Sequence, residues 1–273
     1  MSPAIDEREI RFKRTPQRDL FATAYLPPDG DRIETTIVLL HGGVWNRGER
    51  TFFDERGRAL AERGMQAVTV DYRLSGEATY PAALKDVKSA VRWLKSDPPA
   101  NRYPNTLVLC GHSAGAHLAA LTAAAPTDTP VPDDGFGETS SAVDGLIGFA
   151  GPYDLLGARQ DGETAAFMGG PPSAIPEQYR NASPRERVTQ AHPPARLYHG
   201  TEDQWLTLRE TRAYRDTLRL AGVDVELRTP PGDHFFFQES PWFERTLDQT
   251  VSFVTELGPN AADSTGESGP EPE

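Results

Sequence analysis

A short segment near the middle of the chain has the residue types needed to activate a serine hydroxyl. The pentapeptide 111–115, Gly-His-Ser-Ala-Gly, follows the apolar run Leu107–Cys110 and precedes a predicted helix over Ala116–Ala125. A strand, a sharp turn and a helix are the setting in which a nucleophilic serine is raised above a sheet, and the turn requires small neighbours. We therefore expect Ser113 to be a nucleophile, the alternative being an ordinary glycine-rich turn.

A nucleophilic serine needs a base within hydrogen-bond distance, because its hydroxyl reacts weakly at neutral pH. His234 lies in a Pro-Pro-Gly-Asp-His-Phe loop between a predicted strand, Asp224–Arg228, and the last predicted helix. A loop at the carboxyl end of a strand can hold an imidazole above the serine, so His234 is the predicted base. The other five histidines are expected to have structural roles: His41, His112, His117, His192 and His199.

The base in turn needs a carboxylate, which fixes its tautomer and stabilises the imidazolium. Asp203 is the predicted acid, since it follows the predicted strand Ala195–Tyr198 by a few residues. Glu202 and Asp154 are alternatives, and Asp233 is expected to point away from its neighbour in the chain. The order serine, acid, histidine is that of hydrolases whose serine lies on a strand-to-helix turn.

A second glycine motif could stabilise the negative charge that forms when a carbonyl is attacked. His-Gly-Gly-Val-Trp, residues 41–45, follows the predicted strand Ile37–Leu40. The backbone N–H groups of Gly42, Gly43 and Ala114 are the predicted donors of an oxyanion hole, the alternative being a glycine turn without function. Three aromatic residues are predicted to line a substrate pocket, with burial in the core as the open alternative: Trp45, Trp205 and Phe235.

Composition and missing motifs exclude several other functions. The sequence has no phosphate-binding loop, no G-x-G-x-x-G pattern and no H-E-x-x-H pair, so neither a cofactor nor a metal is expected. A single cysteine, Cys110, rules out an internal disulfide and a cysteine-rich zinc site. Lysines and arginines number 28 against 40 acidic residues, a net charge of −12 that disfavours nucleic acid as a partner.

No apolar stretch approaches the ~18 residues of a membrane helix, so no membrane association is expected. The charged N-terminus lacks the apolar core of a secretion signal, and a cytoplasmic location is predicted.

The elements that must position these residues alternate along the chain. There are five short aliphatic runs, and most show little two-residue alternation, which is typical of strands covered on both faces. They are Ile37–Leu40, Ala67–Val70, Leu107–Cys110, Leu146–Phe149 and Ala195–Tyr198. Helical spacing follows Pro81 and precedes both Gly222 and Gly258. The sequence predicts an α/β fold with a mostly parallel central sheet flanked by helices, and an antiparallel edge formed by strands near residues 10–13 and 20–25.

We expect one domain over residues 1–257. Within it, the irregular proline-rich stretch 151–193 is predicted to form a small lid-like insertion, and residues 126–141 a surface loop. The tail 258–273 contains four acidic residues and neither a basic nor an aromatic one, so it is predicted to be disordered.

Further segments resemble a known family over about residues 34–256. They include Asp71-Tyr72-Arg73-Leu74, Tyr80-Pro81-Ala82-Ala83 and Asn181-Ala182-Ser183-Pro184. With the four motifs above, the chain resembles the α/β-hydrolase superfamily, in its small esterase/lipase branch with an HGG-x-W motif. That branch includes hormone-sensitive-lipase-like and feruloyl/acetyl-xylan esterase-like enzymes. The resemblance implies this fold, the triad and hydrolysis of carboxylic esters without a cofactor. Because no secretion signal is evident, small soluble esters are the expected substrates, and the composition favours a monomeric or dimeric enzyme.

Two alternatives stay open. The run Cys110–Ala119 also resembles kynurenine formamidases, so an arylformamidase acting on N-formylkynurenine with the same triad is possible. A catalytically silent binding protein of the same fold is the third hypothesis.

The chain departs from the family at Phe235-Phe236-Phe237, because many members have a glycine after the catalytic histidine.

Overall fold

The computed structural model describes residues 5–28, 33–125, 134–157 and 162–258, and in these ranges the chain forms eight strands and seven α-helices. The strands are β1 (Asp6–Arg14), β2 (Asp19–Leu26), β3 (Ile33–Leu40), β4 (Met65–Val70), β5 (Thr106–His112), β6 (Gly145–Phe149), β7 (Ala195–Tyr198) and β8 (Val225–Arg228). The helices are α1 (Asp54–Ala61), α2 (Ala82–Ser96), α3 (Ala114–Ala124), α4 (Gly162–Met168), α5 (Pro176–Asn181), α6 (Leu208–Leu220) and α7 (Trp242–Glu256).

All eight strands belong to one sheet, in the order β1-β2-β4-β3-β5-β6-β7-β8. The pairs β1–β2 and β2–β4 are antiparallel, and the five pairs from β4–β3 to β7–β8 are parallel. The predicted mostly parallel sheet with an antiparallel N-terminal edge is confirmed. Since parallel strands point the same way, the loops after β3, β5, β7 and β8 emerge along one edge of the sheet.

Helices cover both faces of the sheet, which explains why its strands read as continuous apolar runs. In β3, the side chains of Val38 and Leu40 lie on the sheet face covered by α2, α3 and α6. Those of Ile37 and Leu39 lie on the opposite face, which α1 and α7 cover. Every residue of β5 is buried. Even α2 and α7, the longest described helices at 15 residues each, fall short of a membrane span in length and apolar character.

The sequence did not predict α1, α4 or α5. The buried side of α1 carries an arginine at a position where an amphipathic pattern would have an apolar residue. Arg56 is only 3% exposed, and its guanidinium lies 5.1–5.4 Å from the ring centroids of Phe149, Phe237 and Phe243. An apolar pattern therefore could not reveal this helix. The helices α4 and α5 are short, and both lie in the stretch predicted to be a lid-like insertion.

Two predicted segments lie wholly or partly outside the described residues. Of the predicted surface loop 126–141, only 134–141 is described, and of the predicted disordered tail 258–273, only Gly258. Two boundaries around the serine also differ from the prediction, because β5 continues to His112 and α3 begins at Ala114.

A buried carboxylate ties the loop after β4 to α2. Asp86 has a fully buried side chain and accepts hydrogen bonds from Lys13 Nζ at 2.8 Å and from Arg73 Nε at 2.8 Å. The same loop continues to Ser75, whose N–H donates to the carbonyl of Trp45 at 2.8 Å. The segment after β4 thus contacts the last residue of the second glycine motif.

Replacing Gly115 with alanine is expected to destabilise the fold. A Cβ at residue 115 would lie 2.1 Å from the carbonyl oxygen of Leu40, which is backbone and cannot rotate away. We expect a loss of about 1–3 kcal/mol in the free energy of unfolding, measured by urea denaturation. Gly76→Ala is the matched control, because a Cβ there meets nothing within 4 Å. Equal stability of the two variants would contradict the close backbone approach.

Candidate active site

Ser113 occupies the single position between β5 and α3, in a left-handed backbone conformation. Its φ is 53° and its ψ is −120°. Such a conformation is costly for a residue with a Cβ and persists only where the surrounding structure enforces it. The Ser113 N–H donates to the carbonyl of Phe149 at 2.9 Å, which ties the turn to the end of β6. This geometry places the serine at the carboxyl edge of the sheet, bordering a cavity.

Asp203 and His234 form a hydrogen-bonded pair between the loops after β7 and β8. Asp203 Oδ2 lies 2.7 Å from His234 Nδ1. Asp203 Oδ1 accepts from the backbone N–H groups of Trp205 at 2.8 Å and Leu206 at 3.0 Å. Both side chains are nearly inaccessible to solvent. Although burial opposes it, hydrogen bonds from His234 and from the backbone lower the pKa of Asp203, so its carboxylate is charged.

A second histidine contacts the same carboxylate. His199 Nε2 lies 3.3 Å from Asp203 Oδ2 and 3.2 Å from the carbonyl of Leu206, while its Nδ1 lies 2.7 Å from Thr211 Oγ1. Burial lowers the pKa of His199, which is therefore neutral. Sequence reasoning gave His199 only a structural role at a strand end. Its position four residues before Asp203 was the one available signal for the contact.

His112 connects the serine turn to the loop of His234. Its Nε2 donates to the backbone carbonyl of His234 at 3.0 Å, and the two ring centroids are 4.5 Å apart. Within the described residues, the hydroxyl of Ser113 forms no hydrogen bond with His234. In unliganded hydrolases such bonds are often long and shorten when substrate binds. The structure thus pairs Asp203 with His234, and His112, next in the chain to Ser113, contacts the loop of His234.

The second glycine motif runs alongside the serine turn. A Cβ at residue 42 would lie 3.1 Å from Ser113 Cβ, so only glycine allows this approach without displacement of a neighbour. Among the described residues, no acceptor is hydrogen-bonded to the backbone N–H of Gly42, Gly43 or Ala114. Of these three predicted donors, Ala114 lines the cavity beside Ser113, and Gly42 and Gly43 are not among its lining residues.

The cavity beside Ser113 has a volume of about 560 Å³. Of the three aromatic residues named as pocket candidates, Trp45 and Trp205 line this cavity, whereas Phe235 does not. The ring of Phe235 instead packs against His112 and Trp205. Trp205 also stacks on the imidazole of His234, with the ring planes 8° apart. The cavity therefore joins the serine to the aromatic neighbour of the histidine.

The rival carboxylates have other partners or face solvent. Asp154 Oδ2 accepts from Arg185 at 2.9 Å, and Asp233 Oδ1 accepts from the N–H of Phe235 at 2.8 Å. Glu202 is exposed. None of the three contacts a histidine in the described structure, which favours Asp203 as the acid. The described residues also contain no group of three metal-binding side chains.

The sheet topology and the serine turn define the chain as an α/β-hydrolase. It belongs to the BD-FAE family, which matches residues 23–218. The family match confirms the resemblance to the α/β-hydrolase superfamily that the sequence motifs indicated.

Named relatives indicate the reaction class. The probable carboxylic ester hydrolase LipM of Mycobacterium tuberculosis is 32% identical over 211 residues, which cover 70% of this chain and 47% of LipM. The chain spans about half the length of the curated relatives it matches.

The esterase Est2 of Thermogutta terrifontis, solved with propionate bound, is 27% identical with a TM-score of 0.78, and the match covers 94% of this chain and 96% of Est2. The same esterase phosphorylated by paraoxon is 25% identical with a TM-score of 0.76 over 94% and 96% of the two chains. These proteins are named as ester hydrolases, which is the predicted class, and nothing in their names supports the arylformamidase alternative.

Asp203→Asn is expected to abolish most ester hydrolysis, because an amide at this position cannot hold the Nδ1–H tautomer or stabilise an imidazolium. We expect kcat to fall by about 10³–10⁴-fold. Glu202→Gln, one residue away, is the control and should retain the wild-type kcat for p-nitrophenyl acetate. A comparable loss in both variants would contradict the assignment of Asp203.

The buried histidines predict a loss of stability in mild acid. Burial lowers the pKa of both His117 and His192 to about 4, whereas an unfolded histidine titrates near 6.5. Between these pH values the unfolded chain binds protons that the folded chain does not, so stability falls as the pH decreases from 6.5 towards 4. Each histidine should lower the free energy of unfolding by roughly 2–3 kcal/mol at pH 4.5.

Urea denaturation at pH 7 and pH 4.5 measures this effect. His192→Gln lacks one of the two groups and should show a smaller loss between the two pH values. The same pH dependence in this variant and in the wild type would contradict the burial argument.

Proposed function

We propose that this protein is a serine carboxylesterase in which Ser113, Asp203 and His234 form the catalytic triad. One observation carries the proposal: a serine in a left-handed strand-to-helix turn borders a cavity beside a buried histidine–carboxylate pair. The names of its relatives support the reaction class, although this chain matches only about half of their length.

In the proposed mechanism, Ser113 Oγ attacks the ester carbonyl carbon while His234 Nε2 accepts its proton. Asp203 holds the other ring nitrogen and stabilises the imidazolium. The resulting oxyanion accepts hydrogen bonds from the N–H groups of Gly42, Gly43 and Ala114, which have no other acceptor among the described residues. When the tetrahedral intermediate collapses, the alcohol leaves with the proton from His234. Water, deprotonated by His234, then hydrolyses the acyl-enzyme.

We infer that the substrates are small soluble esters with short acyl groups. A cavity of about 560 Å³ bordered by Trp45, Trp205 and Leu206 accommodates a small apolar group beside Ser113. The relative Est2 was solved with propionate bound, which supports the same size range. A cytoplasmic location and a monomeric or dimeric state remain predictions.

The test compares the wild type with Ser113→Ala on p-nitrophenyl acetate. We expect kcat to fall by at least about 10⁴-fold in the variant, because the nucleophile is absent. Ser173→Ala, at an exposed serine, is the control and should behave as the wild type. Paraoxon should add one diethylphosphoryl group to the wild type and to the control, detected by intact mass, and none to Ser113→Ala. Turnover that persists in Ser113→Ala would overturn the mechanism.

A further inference from the structure

His117 is a buried histidine that the proposed mechanism does not use. It lies on α3, four residues after Ser113, and its side chain is fully buried. Its Nδ1 accepts a hydrogen bond from Trp45 Nε1–H at 3.1 Å, and its Nε2–H donates to the carbonyl of Ala182 at 2.7 Å. An indole nitrogen only donates and a carbonyl only accepts, so the two partners fix the tautomer of a neutral imidazole. Burial lowers the pKa of His117 to about 4, in agreement with this state.

Trp45 ends a backbone segment that is held in an unfavourable conformation. Gly43, Val44 and Trp45 have consecutive positive φ angles of 117°, 47° and 59°. Only the glycine adopts such angles without a steric penalty, so the other two residues need contacts that hold them there. The side chain of Trp45 supplies such contacts, because its ring stacks on Phe167 with a centroid distance of 4.6 Å while its N–H binds His117.

The contact joins three parts of the site. Trp45 belongs to the loop that carries Gly42 and Gly43, and His117 belongs to the helix that begins directly after Ser113. Ala182 directly follows α5, in the stretch 151–193 that the sequence predicts to be an insertion. Packing alone would not require a polar residue here, because burying an imidazole is unfavourable unless its nitrogens are hydrogen-bonded. Both ring nitrogens of His117 have hydrogen-bond partners, so the site fixes the orientation of the imidazole as well as the space that it fills.

We propose that His117 is a positioning residue for the oxyanion hole: its Nδ1 holds the Trp45 indole and thereby keeps Gly42 and Gly43 beside Ser113. The inference rests on the proposed esterase function and extends it to a residue that touches no substrate. Since the loop acts on the negative charge of the transition state, disturbing it should lower kcat and leave KM nearly unchanged.

Two substitutions separate the two hydrogen bonds of His117. In His117→Asn, the carboxamide oxygen replaces Nδ1 and can still accept from the Trp45 indole. In His117→Gln, the longer side chain places its amide near the position of Nε2, where it can still donate to Ala182, but Trp45 loses its acceptor. Trp45→Phe removes the donor and retains a ring that can stack on Phe167. His192→Gln is the control, since His192 is likewise buried, with its Nε2 3.0 Å from the hydroxyl of Tyr214.

The measurement is the hydrolysis of p-nitrophenyl acetate, with kcat normalised to the number of active sites titrated by the paraoxon burst. This normalisation removes any effect of a smaller folded fraction. We expect His117→Gln and Trp45→Phe each to lower kcat by about 10- to 100-fold. For His117→Gln, whose side chain does not line the cavity, KM should change less than about twofold. His117→Asn should retain kcat within about threefold of the wild type, and His192→Gln should equal the wild type. In the Trp45→Phe background, His117→Gln should cause no further loss.

The outcomes distinguish this inference from the function on which it rests. Wild-type protein without esterase activity would overturn the proposed function and the inference together. In active protein, a wild-type kcat for His117→Gln would overturn the inference alone. So would equal losses in His117→Asn and His117→Gln, because they would assign His117 a general packing role. Additive losses in the double variant would also overturn it, since the two residues would then act independently.

Discussion

The close approach of two backbone segments, β3 with its following loop and the turn at Ser113, constrains the rest of the candidate site. Gly115 lies directly against the carbonyl of Leu40, and Gly42 lies against Ser113 Cβ. Neither contact leaves room for a side chain. This proximity brings the second glycine motif next to Ser113 and the start of α3, as the proposed oxyanion hole requires. The left-handed conformation of Ser113 follows from the same constraint, since the chain must turn from strand to helix within one residue.

The parallel sheet explains how residues far apart in sequence meet. The loops after β3, β5, β7 and β8 contribute the glycine motif, the serine, the aspartate and the histidine, and they emerge at the same edge because the four strands run in one direction. Side-chain contacts then fix the register of the loops. His112 binds the carbonyl of His234, and Asp203 binds both its own loop and the His234 ring. The topology supplies proximity, and these hydrogen bonds supply orientation.

The sequence was informative where a local pattern has a local physical cause. Small residues around Ser113, glycines after β3 and aliphatic strands each reflect a steric or burial requirement that acts within a few residues. The prediction of Asp203 over Glu202 relied on loop position, and the structure favours it because only Asp203 contacts a histidine. The contacts of His117 and His199 could not be predicted in this way, because their partners Trp45, Ala182 and Thr211 come from elements that only the tertiary structure brings together. The buried Arg56 concealed α1 for a related reason, since an arginine on the buried side of a helix breaks the apolar pattern.

The histidines around the site show how burial separates structural from chemical roles. For His41, His112, His117 and His199, burial lowers the pKa, so each is a neutral group that can donate at one nitrogen and accept at the other. Such a group can orient a neighbour without adding a charge to the site. His234 differs in its partner, because its Nδ1 lies 2.7 Å from the charged carboxylate of Asp203. His199 also approaches this carboxylate, but at 3.3 Å and with a carbonyl sharing the same nitrogen. A carboxylate stabilises an imidazolium, whereas a carbonyl or an indole favours only one neutral tautomer. His234 is therefore the histidine of this group that the proposed mechanism uses as its base, and the neutral histidines around it are suited to orient neighbouring groups.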